Sequence, residues 1–161
     1  MAKGIKWLVF AGLVLVAYAS AWLKAYQLSE SYYQFAQQQF QMGNYTTSLK
    51  GMNKLELRKG DTYLGGYQQV IETWEGTLIG PKPDFYYRSQ MMPAKVMANL
   101  NAKELEEFIQ IYVELDTRYV PEVADQVRLL ASQNGQNDLF KEMTEFLVEA
   151  FPYYQRQDNL E

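Results

Sequence analysis

The sequence contains no histidine and no cysteine. Without histidine there is no Ser-His-Asp triad, no Cys-His pair and no imidazole-ligated metal. Without cysteine, disulfides, thiolate nucleophiles, zinc fingers and Cys-ligated clusters are excluded as well. Positive charge is scarce too: 15 Lys and Arg stand against 19 Asp and Glu, a formal charge of -4 with a pI near 5.0. A nucleic-acid binder needs a basic face, so that class is set aside. What remains is chemistry built on carboxylates, Ser, Lys and Tyr. At 161 residues, 48% hydrophobic and 21% charged, the chain has the size and composition of one folded domain.

The 17 residues between Lys6 and Lys24 are apolar and carry no charge. Three readings compete for this stretch. A buried core helix would show a polar stripe, and this run is apolar all round. A cleaved signal peptide fits the basic start, Lys3 and Lys6, and the small-x-small sites Ala17-Tyr18-Ala19 and Ala19-Ser20-Ala21. A membrane anchor fits the length, about 25 Å as a helix, which Ile5 and a snorkelling Lys24 extend toward the roughly 30 Å hydrocarbon core. It also fits the aromatic bracket, Trp7 and Trp22 at the two ends with Tyr26 just beyond. A peptide made for removal has no use for an outer aromatic girdle, so the anchor is the preferred reading. Lys3, Lys6 and the α-amino group outweigh Lys24 on the far flank. The expected topology is therefore N-terminus cytoplasmic, in the cytoplasmic (inner) membrane, with the remainder extracytoplasmic.

The rest reads as helices. Tyr32, Phe35, Ala36 and Phe40 recur at helical spacing; Gly43-Asn44 interrupts; Tyr45, Leu49, Met52 and Leu55 form a second stripe. The stretch 31–57 resembles one tetratricopeptide (TPR) repeat, a helical hairpin with a Gly-Asn-Tyr turn. The positions that carry the resemblance are Tyr32, Phe35, Ala36, Phe40, Gly43, Asn44, Tyr45, Ser48, Met52 and Leu55. Ser48 stands where the family has alanine, no proline closes the unit, and no second copy follows about 34 residues later. The resemblance implies a protein-binding or assembly role without catalysis.

Gly60-Asp61 predicts the start of a third helix over 62–75, with Tyr63, Leu64, Tyr67, Val70, Ile71 and Trp74 inward. Gly76, Gly80, Pro81 and Pro83 then predict an irregular loop over 76–93, ended by Pro93 at a helix start. Farther on, Asn101 and Glu104 have capping-box spacing ahead of Leu105, Phe108, Ile109, Tyr112 and Leu115. Pro121 restarts a helix with Ala124, Val127, Leu130 and Ala131 inward. Asp138 caps a last one with Leu139, Phe140, Met143, Phe146, Leu147 and Ala150 inward, stopped by Pro152. Phe108, Phe140 and Phe146 are expected to meet in one core.

Candidate chemistry is thin. Glu72 and Glu75, one turn apart beside Trp74 with Asp84 across the loop, have the residue types of a glycosidase pair. Two acids on an exposed helix face are the ordinary explanation. Glu104, Glu106, Glu107, Glu114 and Asp116 invite a cation, yet acids in the first turns of a helix are favoured by its dipole alone. From residue 101 onward thirteen acids face five bases, whereas 25–100 carries seven bases and six acids. The acidic half either steers a basic partner or simply keeps the chain soluble. Phe85, Tyr86, Tyr87, Arg88, Met91 and Met92 are of the types enriched at protein interfaces. Either they meet a partner or they fold back as a plug between hairpins.

The expectation is an all-α chain: a single-pass anchor over 1–27, an antiparallel helical-hairpin domain over 28–151, and a tail over 152–161. Trp7, Gly12, Ala17, Ala21 and Trp22 are the anchor residues, the small ones permitting close helix approach. The expected function is that of a non-enzymatic accessory or assembly subunit of a larger membrane complex, with no cofactor, no metal and no nucleic-acid partner. The alternative is a secreted or anchored small-molecule-binding protein with an aromatic pocket of Tyr63, Tyr67, Trp74 and Tyr86.

Overall fold

The computed structural model describes residues 2–52 and 62–155. Its described residues form helices α1 (Ala2–Gln41), α2 (Tyr45–Lys50), α3 (Tyr67–Glu75), α4 (Asp84–Gln90), α5 (Met92–Asn99), α6 (Ala102–Leu115), α7 (Val120–Gln133) and α8 (Asn137–Ala150). The chain divides into two compact units, 1–92 and 93–161.

No glycine or proline lies between Gly12 and Gly43, so nothing breaks the helix at residue 27. The apolar run and the first helix of the folded part are one rod of 40 residues, about 60 Å long. It ends at the expected turn. The Gly43 amide donates to the Phe40 carbonyl at 3.1 Å, and the Asn44 side chain donates to Gln39 Oε1 at 2.8 Å. Phe40 and Tyr45 close the turn edge to face, 5.3 Å apart.

Helix α2 stops at Lys50. The reason is a backbone crossing. A Cβ on Gly66 would sit 2.4 Å from the Leu49 carbonyl oxygen, and one on Gly51, whose φ is +78°, would sit 2.7 Å from the Gly66 nitrogen. Only glycine allows the two strands of chain to touch there. The Met52 amide donates to the Leu64 carbonyl at 3.0 Å, fixing 62–66 as extended chain. The third helix consequently starts at Tyr67, not Thr62. Leu55, Leu57, Gly60 and Asp61 lie outside the described residues, as do 156–161 of the tail.

The irregular segment is also shorter than expected. It covers 76–83, and Asp84 opens α4 after Pro83, so 84–90 is helix. Pro83 and Asp84 are good helix-start residues, and the apolar residues that follow bury on one side. In the unit 1–92, Val70, Ile71, Trp74, Phe85 and Tyr86 form a buried cluster. Trp22, Ala25, Tyr26, Tyr32 and Tyr33 of α1 pack against it.

In the unit 93–161, α7 packs against both α6 and α8. The Asn101–Glu104 capping box forms in both directions, at 2.8 and 3.1 Å. Phe108 is buried, but Phe140 and Phe146 are only half-buried. Phe108 packs on Tyr112, Phe140 lies under the Arg128 guanidinium, and Phe146 touches Phe151. Leu115 and Ala150 are exposed rather than inward. Leu147 is the fully buried residue of α8.

Candidate membrane-anchoring and partner-contact site

Helix α1 is long and apolar enough to cross a membrane. Every large apolar side chain from Ile5 to Val16 is exposed, Trp7 and Leu8 by 72% and 74%. The polar groups near the end of this stretch are already satisfied. The Ser20 hydroxyl donates to the Val16 carbonyl at 2.8 Å, and the Tyr18 hydroxyl donates to the Ile79 carbonyl. Gly12, Ala17 and Ala21 are exposed as well. At about 100° per residue, Ala17 and Ala21 share a face while Gly12 lies about 140° away from Ala17. The three do not make one seam.

Trp22 differs from Trp7. Its ring meets Trp74 edge-on at 5.7 Å and Tyr26 at 5.5 Å, and its indole N–H is buried without a hydrogen-bond partner. The N-terminal end of the aromatic pair is exposed; the C-terminal end is a joint between α1 and the folded part. Farther along the same face Ser29 is fully buried. Its hydroxyl accepts from the Trp74 indole at 2.8 Å and donates to the Ala25 carbonyl at 2.6 Å. Sequence reading passed over Ser29, although its spacing from Trp22, Ala25, Tyr33 and Ala36 puts it on the packed face.

The six partner-contact candidates separate. Phe85 and Tyr86 are core: Phe85 packs against Tyr26 at 5.2 Å and stacks on Tyr33 at 5.8 Å. Tyr87, Arg88 and Met91 are exposed on the other side of α4, and Met92 is half-buried. The physical cause is α4 itself: a helix turns about 100° per residue, so Phe85, Tyr86 and Ser89 face the core while Tyr87 and Arg88 face away. The proposed aromatic pocket residues Tyr67, Trp74 and Tyr86 are buried in the packing, and Tyr63 lies against Tyr32 at 6.0 Å.

Glu72, Glu75 and Asp84 are exposed, and Glu72 accepts from the Gln68 amide at 2.7 Å. Glu104 is occupied in its cap, and Glu107 pairs with Lys103 at 3.4 Å. Among the described residues no group of three or more carboxylates stands close enough to hold a metal ion. The most buried charges are elsewhere. Asp125 and Arg128 pair at 2.7 Å inside the unit 93–161, each almost wholly buried, and Tyr154 hydrogen-bonds to Asp125. Burial first, and then the Asp125 and Glu122 carboxylates, push the Tyr154 hydroxyl up to about 12. Burial, with Tyr33 adding to it, pushes Tyr67 up to about 12 as well. Both hydroxyls therefore keep their protons at neutral pH. No family model, curated protein or solved structure matches the chain.

Proposed function

We propose that this chain is a non-enzymatic accessory or assembly subunit of a larger membrane complex, anchored by α1 as a single-pass helix with its N-terminus cytoplasmic. The observation that carries the reading is the wholly exposed apolar surface of α1 from Ile5 to Val16. Taking one such side chain out of water is worth about 1.5–3 kcal/mol. A surface of this size needs another apolar phase, and the absence of charge over 17 residues matches hydrocarbon. The same helix continues into the unit 1–92 without a hinge residue, so the anchor and the aromatic core of that unit share one rod. Tyr87, Arg88 and Met91, exposed on α4, supply side chains suited to a protein contact. The Ala17/Ala21 face permits a close partner helix.

Purification of the native protein in a mild detergent tests this. The expected result is co-purification with other integral membrane proteins, weakened by Tyr87→Ala combined with Met91→Ala. A lone monomer under the same conditions overturns the assembly role.

A further inference from the structure

Among the described residues, the loop 76–83 carries the most exposed aliphatic pair outside the N-terminal run: Leu78 is 97% exposed and Ile79 69%. Neighbouring aliphatic side chains held fully in water need an explanation when the loop that holds them is pinned. This one is pinned at several points. The Tyr18 hydroxyl donates to the Ile79 carbonyl, and the Thr77 amide donates to the Trp74 carbonyl at 3.1 Å. Gly80, at φ +94°, lies against Trp22, where an added Cβ would come within 3.5 Å of the indole nitrogen. Lys82 folds back, its ammonium donating to the Glu75 carbonyl at 3.1 Å and lying 4.9 Å from the centre of the Tyr86 ring.

The position of the pin matters more than its strength. Tyr18 lies inside the uncharged run, one helical turn (about 6 Å) on the N-terminal side of Trp22. The bond to Tyr18 therefore brings the loop tip down beside the anchor helix instead of above it. There the loop is chemically prepared for a low-water setting. The Ile79 carbonyl has its donor, and Pro81 and Pro83 have no N–H to desolvate. Between loop and helix, Tyr18, Ala19, Trp22, Gly80 and Pro81 line an open cleft of about 260 Å³, wide enough to take part of an acyl chain.

We propose that loop 76–83 is a second membrane contact, seating Leu78 and Ile79 in lipid at the boundary between headgroups and acyl chains, beside Tyr18 and Trp22. The proposal rests on the reading of α1 as an anchor. A single transmembrane helix leaves the attached domain free to tilt; a loop gripping the same leaflet on one side of the helix removes that freedom. Interfacial burial of two aliphatic residues is a modest contact compared with a spanning helix, so its role is orientation.

The absence of native cysteine makes the test direct. Full-length protein carrying a single substitution, Leu78→Cys, is labelled with an environment-sensitive fluorophore. It is then reconstituted into vesicles of phosphatidylcholine and phosphatidylglycerol. Leu78 makes almost no packing contacts, so the substitution leaves the fold intact. The expected result is a blue-shifted emission, quenched by spin labels on the lipid acyl chains near the headgroup and protected from aqueous iodide. Val14→Cys, in the middle of the run, reports on the anchor, and Gln38→Cys, exposed near the far end of α1, reports on water. A Val14 probe in lipid with a Leu78 probe quenched by iodide overturns the loop contact and leaves the anchor standing. A Val14 probe in water overturns both. A Leu78 probe shielded from iodide yet untouched by the lipid spin labels also overturns it, pointing to protein as the cover.

Discussion

The two units bury apolar surface by different means. In 1–92 the interior is aromatic: Trp22, Tyr26, Tyr33, Trp74, Phe85 and Tyr86 pack ring against ring, and one side of that packing is α1. In 93–161 it is mainly aliphatic, built from Leu105, Ile109, Val120, Val123, Val127 and Leu147, with one buried ion pair among them. Large rings let three short elements, α2, α3 and α4, make a core against a single long helix. Each ring buries about 150–250 Å², more than an aliphatic side chain can. Three helices of 14 residues each need no such help. The aromatic unit therefore depends on the helix that also carries the exposed apolar run, whereas the aliphatic unit is built from α6, α7 and α8.

The sharpest test of that contrast is a matched pair of truncations. Trp74→Ala removes the ring between Trp22 and Ser29, and Phe108→Ala removes the largest buried apolar side chain of α6. Each is expected to cost about 3–5 kcal/mol. The losses should be confined: hydrogen exchange in detergent should show lost amide protection in α3 and α4 for the first, and in α6 to α8 for the second. Loss across both units from either variant would mean that they unfold as one, and the comparison fails.

A second test concerns the ion pair. Asp125→Ala leaves the Arg128 guanidinium buried without its carboxylate, which is expected to cost about 3–5 kcal/mol. Replacing both, Asp125→Leu with Arg128→Met, should recover most of that loss, because the pair's own desolvation disappears with it. A double variant as unstable as the single one, by urea melts in detergent, would show that the pair does more than satisfy itself.

What was legible in the sequence follows the range of the interaction. The Asn101–Glu104 cap and the buried stripe Tyr67, Val70, Ile71, Trp74 are set by residues three or four apart, and both appear as read. The long apolar helix is legible for the same reason. The Gly51–Gly66 crossing was not, because each glycine looks ordinary until the other arrives from 15 residues away. It is this crossing that ends α2 at Lys50. Phe85 and Tyr86 have interface composition, and only the aromatic face of α1 decides that they are interior. On α7, Asp125 and Arg128 fall on buried positions that a hydrophobic pattern marks as solvent-facing. Their partner Tyr154 lies beyond the last helix, out of reach of any periodicity. Of the site, the apolar run was readable; the docking of Trp22 and the Tyr18–Ile79 bond were not.

The smallest expected effect is the response to alkali, and it separates the units by mechanism. Tyr67 and Tyr154 both hold their protons up to about 12 in the folded chain, against about 10 when unfolded. Above pH of about 10 the unfolded state thus binds fewer protons than the folded one, and stability falls with rising pH until about 12. Below that window the two groups contribute no pH dependence. Urea midpoints in detergent should accordingly be unaffected by these tyrosines near neutrality and decline above pH of about 10. Tyr67→Phe should flatten the decline of amide protection in α3, and Tyr154→Phe that in α7. Salt should distinguish them. Burial is the leading cause at both sites, but at Tyr154 the charges of Asp125 and Glu122 add to it against the smaller opposing charge of Arg128, while at Tyr67 the addition comes only from Tyr33. Added salt screens charges and leaves desolvation alone. High salt should thus lower the alkaline sensitivity of α7 more than that of α3. Equal salt responses in the two helices would mean that burial alone sets both, and that the carboxylates around Tyr154 act only as hydrogen-bond acceptors.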